Sequence, residues 1–393
     1  MLTRANLHPY QRRMIELMLR LDRVGIWAEM GLGKTVSALT AAWKLLGICE
    51  VRRVLVVAPL KVARRTWPDE IHEWEHLQEL TINFAGGGSE KSRVAAIDSP
   101  SDIVTVNVEN FRWLIQRYLR KWHAWPFDLV IIDEASKFKT PGARRTRSLT
   151  RHAHKFPRII ELTGYPSSKG LQDIWAQVYA LDGGLRLGTA FDAYTDRFFY
   201  SDYSGYGLDI LPAREEEIHR LVSDICFSLK TADYLSLPGR HDLDVFVDLP
   251  PKARRMYDEM EKSFKTTVDD EGVEAVNSGV KWGKLRQIAS GVLFDNESEV
   301  HTVHSEKMDA LSNIADESYG EPMAVVYQYV PDRERIKKML GKHCVIADKN
   351  GDFVHDWNRK KIPFLLMPPG DNHGLNIQKG GHSITWFGVT PSL

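Results

Sequence analysis

The 393-residue chain has only three cysteines, Cys49, Cys226 and Cys344, too scattered for a disulfide framework or a thiolate metal cluster. Their scarcity predicts a reducing compartment. Neither sign of charge is in excess, because 52 Lys and Arg face 52 Asp and Glu. A basic footprint for nucleic acid therefore has to be local rather than spread over the whole protein. No apolar run approaches the ~20 residues that cross a bilayer, and the first residues lack a signal-peptide pattern. A cytoplasmic protein with no membrane partner is expected. Repeats and low-complexity stretches are missing too. What is present is 43% hydrophobic residues, enough for real cores, over a length that predicts two or three domains.

The first informative stretch is Ala28–Thr35, AEMGLGKT. Gly33, Lys34 and Thr35 fit the end of the phosphate-loop pattern, while Ala28 stands where its first glycine belongs and Gly31 partly compensates. An apolar segment, Val24 to Trp27, precedes it, and an Ala- and Leu-rich helical segment, Val36 to Leu46, follows. Strand, glycine turn and helix place backbone N–H groups and a helix N-terminus around a phosphate. Lys34 would reach the outer phosphates of ATP, and the Thr35 hydroxyl would hold Mg2+. A glycine turn in an ordinary strand–helix unit is the plainer alternative. Ahead of the loop, the apolar spacing of Met14, Leu17, Met18 and Leu21 predicts a helix over 12–21. Just before it, Gln11 carries an amide able to donate to and accept from an adenine edge.

Further strands are expected at Val54–Ala58, Ile103–Asn107, Phe127–Ile132 and Ile159–Thr163, the first of them apolar on both faces as in a central parallel sheet. The third leads into Asp133 and Glu134, about a hundred residues beyond Lys34. Asp133 would hold Mg2+, and Glu134 would orient and deprotonate an attacking water. Lys61, Arg64, Arg65 and Trp67 cluster after the first of these strands and suit a phosphate backbone, or else a solvated helix face. Two more basic stretches, Arg112–Trp125 and Lys137–Arg151, stay open between packing or solvation and phosphate contact. Beyond residue 240 a strand is expected at Asp244–Leu249, a charged helix at Lys252–Lys265 and a flexible connection at Asp269–Ser278. Strands follow at Met323–Tyr327, Val345–Ile346, Phe364–Met367 and Ile384–Phe387.

The ordered set LHPYQ, AEMGLGKT, VLVVAPLKVARRTW, DEAS and ELTGYPSS resembles the ATPase motors of helicase superfamily two. It is most similar to the chromatin-remodeller-like branch, in the compact form found in phages and bacteria. The resemblance implies an α/β fold of two RecA-like lobes with parallel sheets. The first lobe would cover 1–240, a helical excursion and connection 241–280, and the second lobe 281–393. It gives Gln11 the adenine-reading role and assigns the nucleotide cradle to Gly31, Gly33, Lys34 and Thr35. The catalytic pair falls on Asp133 and Glu134. DNA contact is implied for Lys61, Arg64 and Arg65, for Thr163 and Gly164, and for His373, Gly374 and Asn376 in HGLNIQ. Tyr165 departs from the usual Leu-Thr-Gly-Thr-Pro. The expected activity is ATP-dependent translocation on double-stranded DNA by a monomeric motor. A strand-separating DNA or RNA helicase and a catalytically weak DNA-binding scaffold are the alternatives.

The family's last motif, with its Gln-x-x-x-x-R-x-x-R core, does not appear before Leu393. The resemblance therefore implies an incomplete second lobe, its arginines supplied by a further C-terminal segment or a protein partner. Slow turnover is expected of the chain until those arginines are restored.

Overall fold

The computed structural model describes residues 1–122, 124–167, 170–201, 208–230, 233–234, 242–269, 271–318, 320–348, 350–369 and 375–388. The chain divides into two compact units, Met1–Pro238 and Gly239–Leu393.

In the first unit, short runs of branched apolar residues become largely buried strands, with β3 at the sheet edge only half-buried: β1 (Arg23–Ala28), β2 (Val54–Ala58), β3 (Ile82–Phe84), β4 (Ile103–Asn107), β5 (Leu129–Asp133) and β6 (Arg158–Thr163). Helices α1 (Pro9–Arg20), α2 (Lys34–Gly47), α3 (Trp67–Glu73), α4 (Glu90–Asp98), α5 (Val108–Ile115), α6 (Arg144–His152) and α7 (Trp175–Asp182) connect or cover them. After α8 (Phe191–Phe198) come a hairpin of β7 (Phe199–Ser201) and β8 (Leu208–Ile210), then α9 (Arg214–Val222) and β9 (Cys226–Leu229). The seven-stranded sheet runs β3-β4-β2-β5-β6-β1-β9 and is parallel throughout. One face is covered by α1, α2 and α3, through Met14, Leu39 and Trp67. The other is covered by α5, α6 and α7, through Phe111, Leu149 and Val178. Both faces being covered is what makes the strands apolar on both sides.

Several expectations are corrected here. The first helix starts at Pro9 rather than Arg12, so Gln11 lies inside it. Pro9 fills the first helical position, where its missing N–H costs nothing. No strand was expected at Cys226–Leu229, which follows α9 into the sheet edge as β9. β3 was not legible, since its three residues are only half-buried at the sheet edge.

The second unit begins with no strand at 244–249. That alternating stretch is extended and mostly exposed, with no partner strand among the described residues. The connection expected at Asp269–Ser278 is instead part of a hairpin, β10 (Lys265–Val268) with β11 (Glu271–Glu274). It packs with α10 (Pro251–Ser263), α11 (Ser278–Ser290) and a second hairpin, β12 (Val292–Phe294) with β13 (Val300–Thr302). Met256, Met260, Val268, Val273, Leu285 and Ile288 form their own core. The boundary expected at 280 thus falls inside α11, whose apolar face is committed to α10. Beyond it lie α12 (Glu306–Glu317), β14 (Met323–Val326), α13 (Val330–Leu340), β15 (Cys344–Ile346), α14 (Val354–Asn358), β16 (Phe364–Met367) and β17 (Ser383–Trp386). The four strands make a second parallel sheet, β15-β16-β14-β17.

Candidate functional site

The turn from β1 to α2 needs glycine at two places. Gly31 and Gly33 have φ of 85° and 70°, in the left-handed region. A Cβ on Gly33 would lie 2.1 Å from Nε2 of Gln11. Gln11 is buried against this turn: its Oε1 accepts the backbone N–H of His8 at 2.8 Å, and its Nε2 donates to the Leu32 carbonyl at 3.4 Å. The amide thus ties the start of α1 to the loop. Lys34, the first residue of α2, donates from Nζ to the carbonyls of Ala28 (2.6 Å) and Glu29 (3.0 Å). Burial depresses its pKa, and Asp133, Glu134 and Glu29 work in the opposite direction. Thr35 follows in the first turn of the helix, half-buried.

Asp133 closes β5. Burial raises its pKa to about 6, against the pull of a hydrogen bond from Trp67 and the charge of Lys34; Glu134 adds to the rise. The indole Nε1 of Trp67 donates to Oδ2 of Asp133 at 2.9 Å. Glu134 has φ 60° and ψ 55°, a left-handed conformation uncommon for a non-glycine residue. Its Oε1 accepts from the Ser136 hydroxyl and, at 3.4 Å, from Oγ1 of Thr163. The three charged groups expected to act on a triphosphate are therefore electrostatic neighbours at the carboxyl ends of β1 and β5, where parallel α/β sheets bind ligands.

The residues assigned to DNA divide by exposure. Arg64 is exposed and Arg65 half-buried on a π-helical turn, Val62–Thr66, whereas Lys61 is buried at 9% exposure. Trp67, expected in the same basic cluster, is fully buried and serves Asp133 instead. Thr163 is also fully buried and bonded to Glu134, and Gly164 lies against Met30 and Ala28 of the phosphate loop. Tyr165 is 54% exposed. His373 and Gly374 lie outside the described residues. Asn376 is exposed, and its carbonyl accepts from Nδ2 of Asn358 at 2.7 Å, while Trp357 donates to the next carbonyl, Ile377, at 2.9 Å. Sequence reasoning missed Trp67 and Ser136 as positioning residues. The Ser two places after Glu134 was a legible signal; the Trp67–Asp133 bond, made across 66 residues, was not.

The residues fit ATP with Mg2+. The left-handed backbone at Gly31 and Gly33 makes the tight turn into the N-terminus of α2 that a phosphate cradle requires, and an oxygen ligand set of Thr35 and Asp133 suits a hard cation. A fold of two parallel α/β sheets with this loop and this carboxylate pair defines a superfamily-two, chromatin-remodeller-like ATPase motor. The chain belongs to the SNF2-related domain family, whose model matches residues 10–290. It is 36% identical over 397 residues to protein p41 of Acyrthosiphon pisum secondary endosymbiont phage 1, covering 96% of this chain and 84% of that one. It is 30% identical to the DNA annealing helicase and endonuclease ZRANB3 of Bos taurus, over 67% of this chain and 24% of that protein. It is 28% identical to the DNA repair and recombination protein RAD54-like of Gallus gallus, over 60% and 34%. The chain thus spans about a quarter to a third of those two relatives. The Sulfolobus solfataricus SWI2/SNF2 ATPase core in complex with dsDNA shares the fold, with a TM-score of 0.50 and 19% identity over 97% of this chain and 82% of that one.

One consequence of the Trp67 bond is measurable. Trp67→Phe removes a donor to the carboxylate, so Asp133 protonates at higher pH. In the ligand-free protein the Asp133 titration, raised to about 6 by burial, moves upward by about one unit, the size of one hydrogen bond to a charged group. Superimposable NMR titrations of the Asp133 carboxyl in the two proteins would refute this role.

Proposed function

We propose that the chain is a DNA-stimulated ATPase that translocates on double-stranded DNA. The observation that carries the reading is the Lys34–Asp133–Glu134 cluster, with Glu134 hydrogen-bonded to Thr163 of the segment that lies against the phosphate loop. ATP would be held by the backbone of Gly31 to Lys34, with Gln11 at the adenine. Thr35 and Asp133 would hold Mg2+, which screens phosphate charge when bound. Glu134 then orients an attacking water and takes its proton, while Lys34 stabilises the charge that develops on the phosphoryl oxygens. A shift of Thr163 with DNA contact would be felt at Glu134, a direct way to make turnover depend on the track. Support for DNA comes from the relatives above, a DNA annealing helicase and a DNA repair and recombination protein, and the duplex form is that held by the solved core of like fold. Arg64, Arg65, His373, Gly374 and Asn376 are proposed contacts to it, and Lys61 a supporting charge beside Arg64 and Arg65.

The test is ATP turnover with and without duplex DNA, run beside a triplex-displacement assay and a strand-displacement assay. Duplex-stimulated turnover with triplex displacement and no strand separation is the expected result. Turnover indifferent to duplex DNA would sink the motor reading; strand separation would favour the helicase alternative.

A further inference from the structure

The two basic stretches left open by the sequence meet in the folded first unit. Arg112 and Arg120, from α5 and the π-helical turn that continues it to Lys121, and Arg144, Arg147 and Arg151 of α6 line one concave basin of about 390 Å³. All five side chains are exposed. Among the described residues none of the five forms an ion pair, although neighbouring Arg117 takes Glu90 at 2.9 Å. In a chain of zero net charge, five guanidinium groups gathered without a carboxylate in the lining are a local anion site.

The spacing says what kind of anion. Arg144, Arg147 and Arg151 recur at three and four residues, so they share a face of α6. At 1.5 Å per residue they span ~10 Å. One strand of duplex DNA carries a phosphate about every 3.4 Å of helix axis, so roughly three phosphates match that row. Arg112 and Arg120 face them from the neighbouring helix. Among the described residues no Phe, Tyr or Trp lines the basin, so they offer no stacking platform of the kind that holds unpaired bases. Within the first unit the location separates it from Arg64 and Arg65. The turn carrying Arg64 and Arg65 packs Val62 and Ala63 into the core on one face of the sheet, whereas α5 and α6 cover the opposite face.

We propose that this basin binds the phosphate backbone of a second DNA duplex, one distinct from the segment on which the motor acts. Binding of a duplex in the basin rests on the arginine geometry alone, and its distinctness from the motor's track rests on the function proposed above. It lets one chain hold two duplex segments at once.

Sedimentation of the full chain with an excess of a short labelled duplex, at low salt, counts duplexes per chain. Two are expected for the wild type and one for Arg144→Gln/Arg147→Gln/Arg151→Gln. The slope of log K against log salt for the second duplex reports about 0.9 per phosphate contact, so about three units are expected to vanish with the triple substitution. Arg145→Gln, on the same helix but outside the basin, keeps two. The triple Arg→Lys variant also keeps two, which separates lost charge from a damaged fold. If the triple Gln variant does not fold, Arg147→Gln alone is expected to lower the slope by about one. The proposal is overturned by one duplex per wild-type chain, by two on the triple Gln variant, or by an unchanged slope in Arg147→Gln. Loss of duplex-stimulated ATP turnover in the folded triple Gln variant also overturns it, because the basin would then belong to the motor's own track. A wild type that binds two duplexes yet shows no duplex-stimulated turnover sinks the motor reading and leaves the basin intact.

Discussion

Glu134→Gln is expected to lower ATP turnover by about 10²–10⁴-fold while nucleotide binding persists. The substitution keeps the shape of the side chain and an oxygen to accept from Ser136 and Thr163, and removes only the basicity. The left-handed backbone at Glu134 belongs to the turn between β5 and the following 3-10 turn, so it survives the change. Turnover and nucleotide affinity measured side by side separate the two roles. Unchanged turnover would remove Glu134 from the chemistry; loss of nucleotide binding along with turnover would make it a structural residue of the loop. Lys34 differs in kind, because its ammonium bonds the carbonyls of Ala28 and Glu29 and its removal would disturb the loop as well as the charge.

Glu161→Gln is expected to change how stability depends on pH. Glu161 lies in the middle of β6, wholly buried, paired in register with Gly25 of β1 and Ile132 of β5. Neither of its carboxylate oxygens has a hydrogen-bond partner among the described residues. Burial raises its pKa well above the ordinary value of 4.5, so the folded protein holds the proton that the unfolded chain releases. The sign follows directly. Below the unfolded value the neutral side chain contributes its full stability. As pH climbs from there through the raised folded value, that contribution is lost at ~1.4 kcal/mol per pH unit. A glutamine in its place has nothing to titrate. Urea midpoints across pH 5 to 8 should show the variant gaining on the wild type as pH rises; parallel curves would show that Glu161 finds a counter-charge in solution.

The same residue marks a limit of sequence reading. In ELTGYPSS, the glutamate looks like the polar edge of a motif, and its alternation with apolar neighbours gives no warning. Only the covering of both faces by helices makes every β6 position an interior one. Gly25, beside it, lacks a side chain, and the room goes to Trp27 and Cys226; a Cβ there would meet the Cys226 sulfur at 3.1 Å. Burial also raises the Cys226 pKa, and Glu161 adds to that rise, so this thiol is not a nucleophile. The hairpins of the second unit were hidden for a related reason. Acidic, glycine-punctuated residues at 269–278 have the composition of a linker, yet Val268 and Val273 pack with α10 and α11.

The sequence by itself determined the five inner strands of the first sheet, the four of the second, the phosphate loop and the carboxylate pair, but not the edge strands β3 and β9. Buried parallel strands need unbroken apolar runs, and phosphate chemistry admits few residue types at fixed spacing. The tertiary structure alone decided which side chains serve that chemistry from a distance. Trp67 passed from a basic cluster to a hydrogen bond with Asp133, and Thr163 is drawn into a hydrogen bond with Glu134. It also brought two arginine stretches, separated along the chain by a strand, onto adjacent helices of one layer. Such assignments depend on which elements become neighbours, and that follows from the packing of the whole sheet rather than from any local stretch.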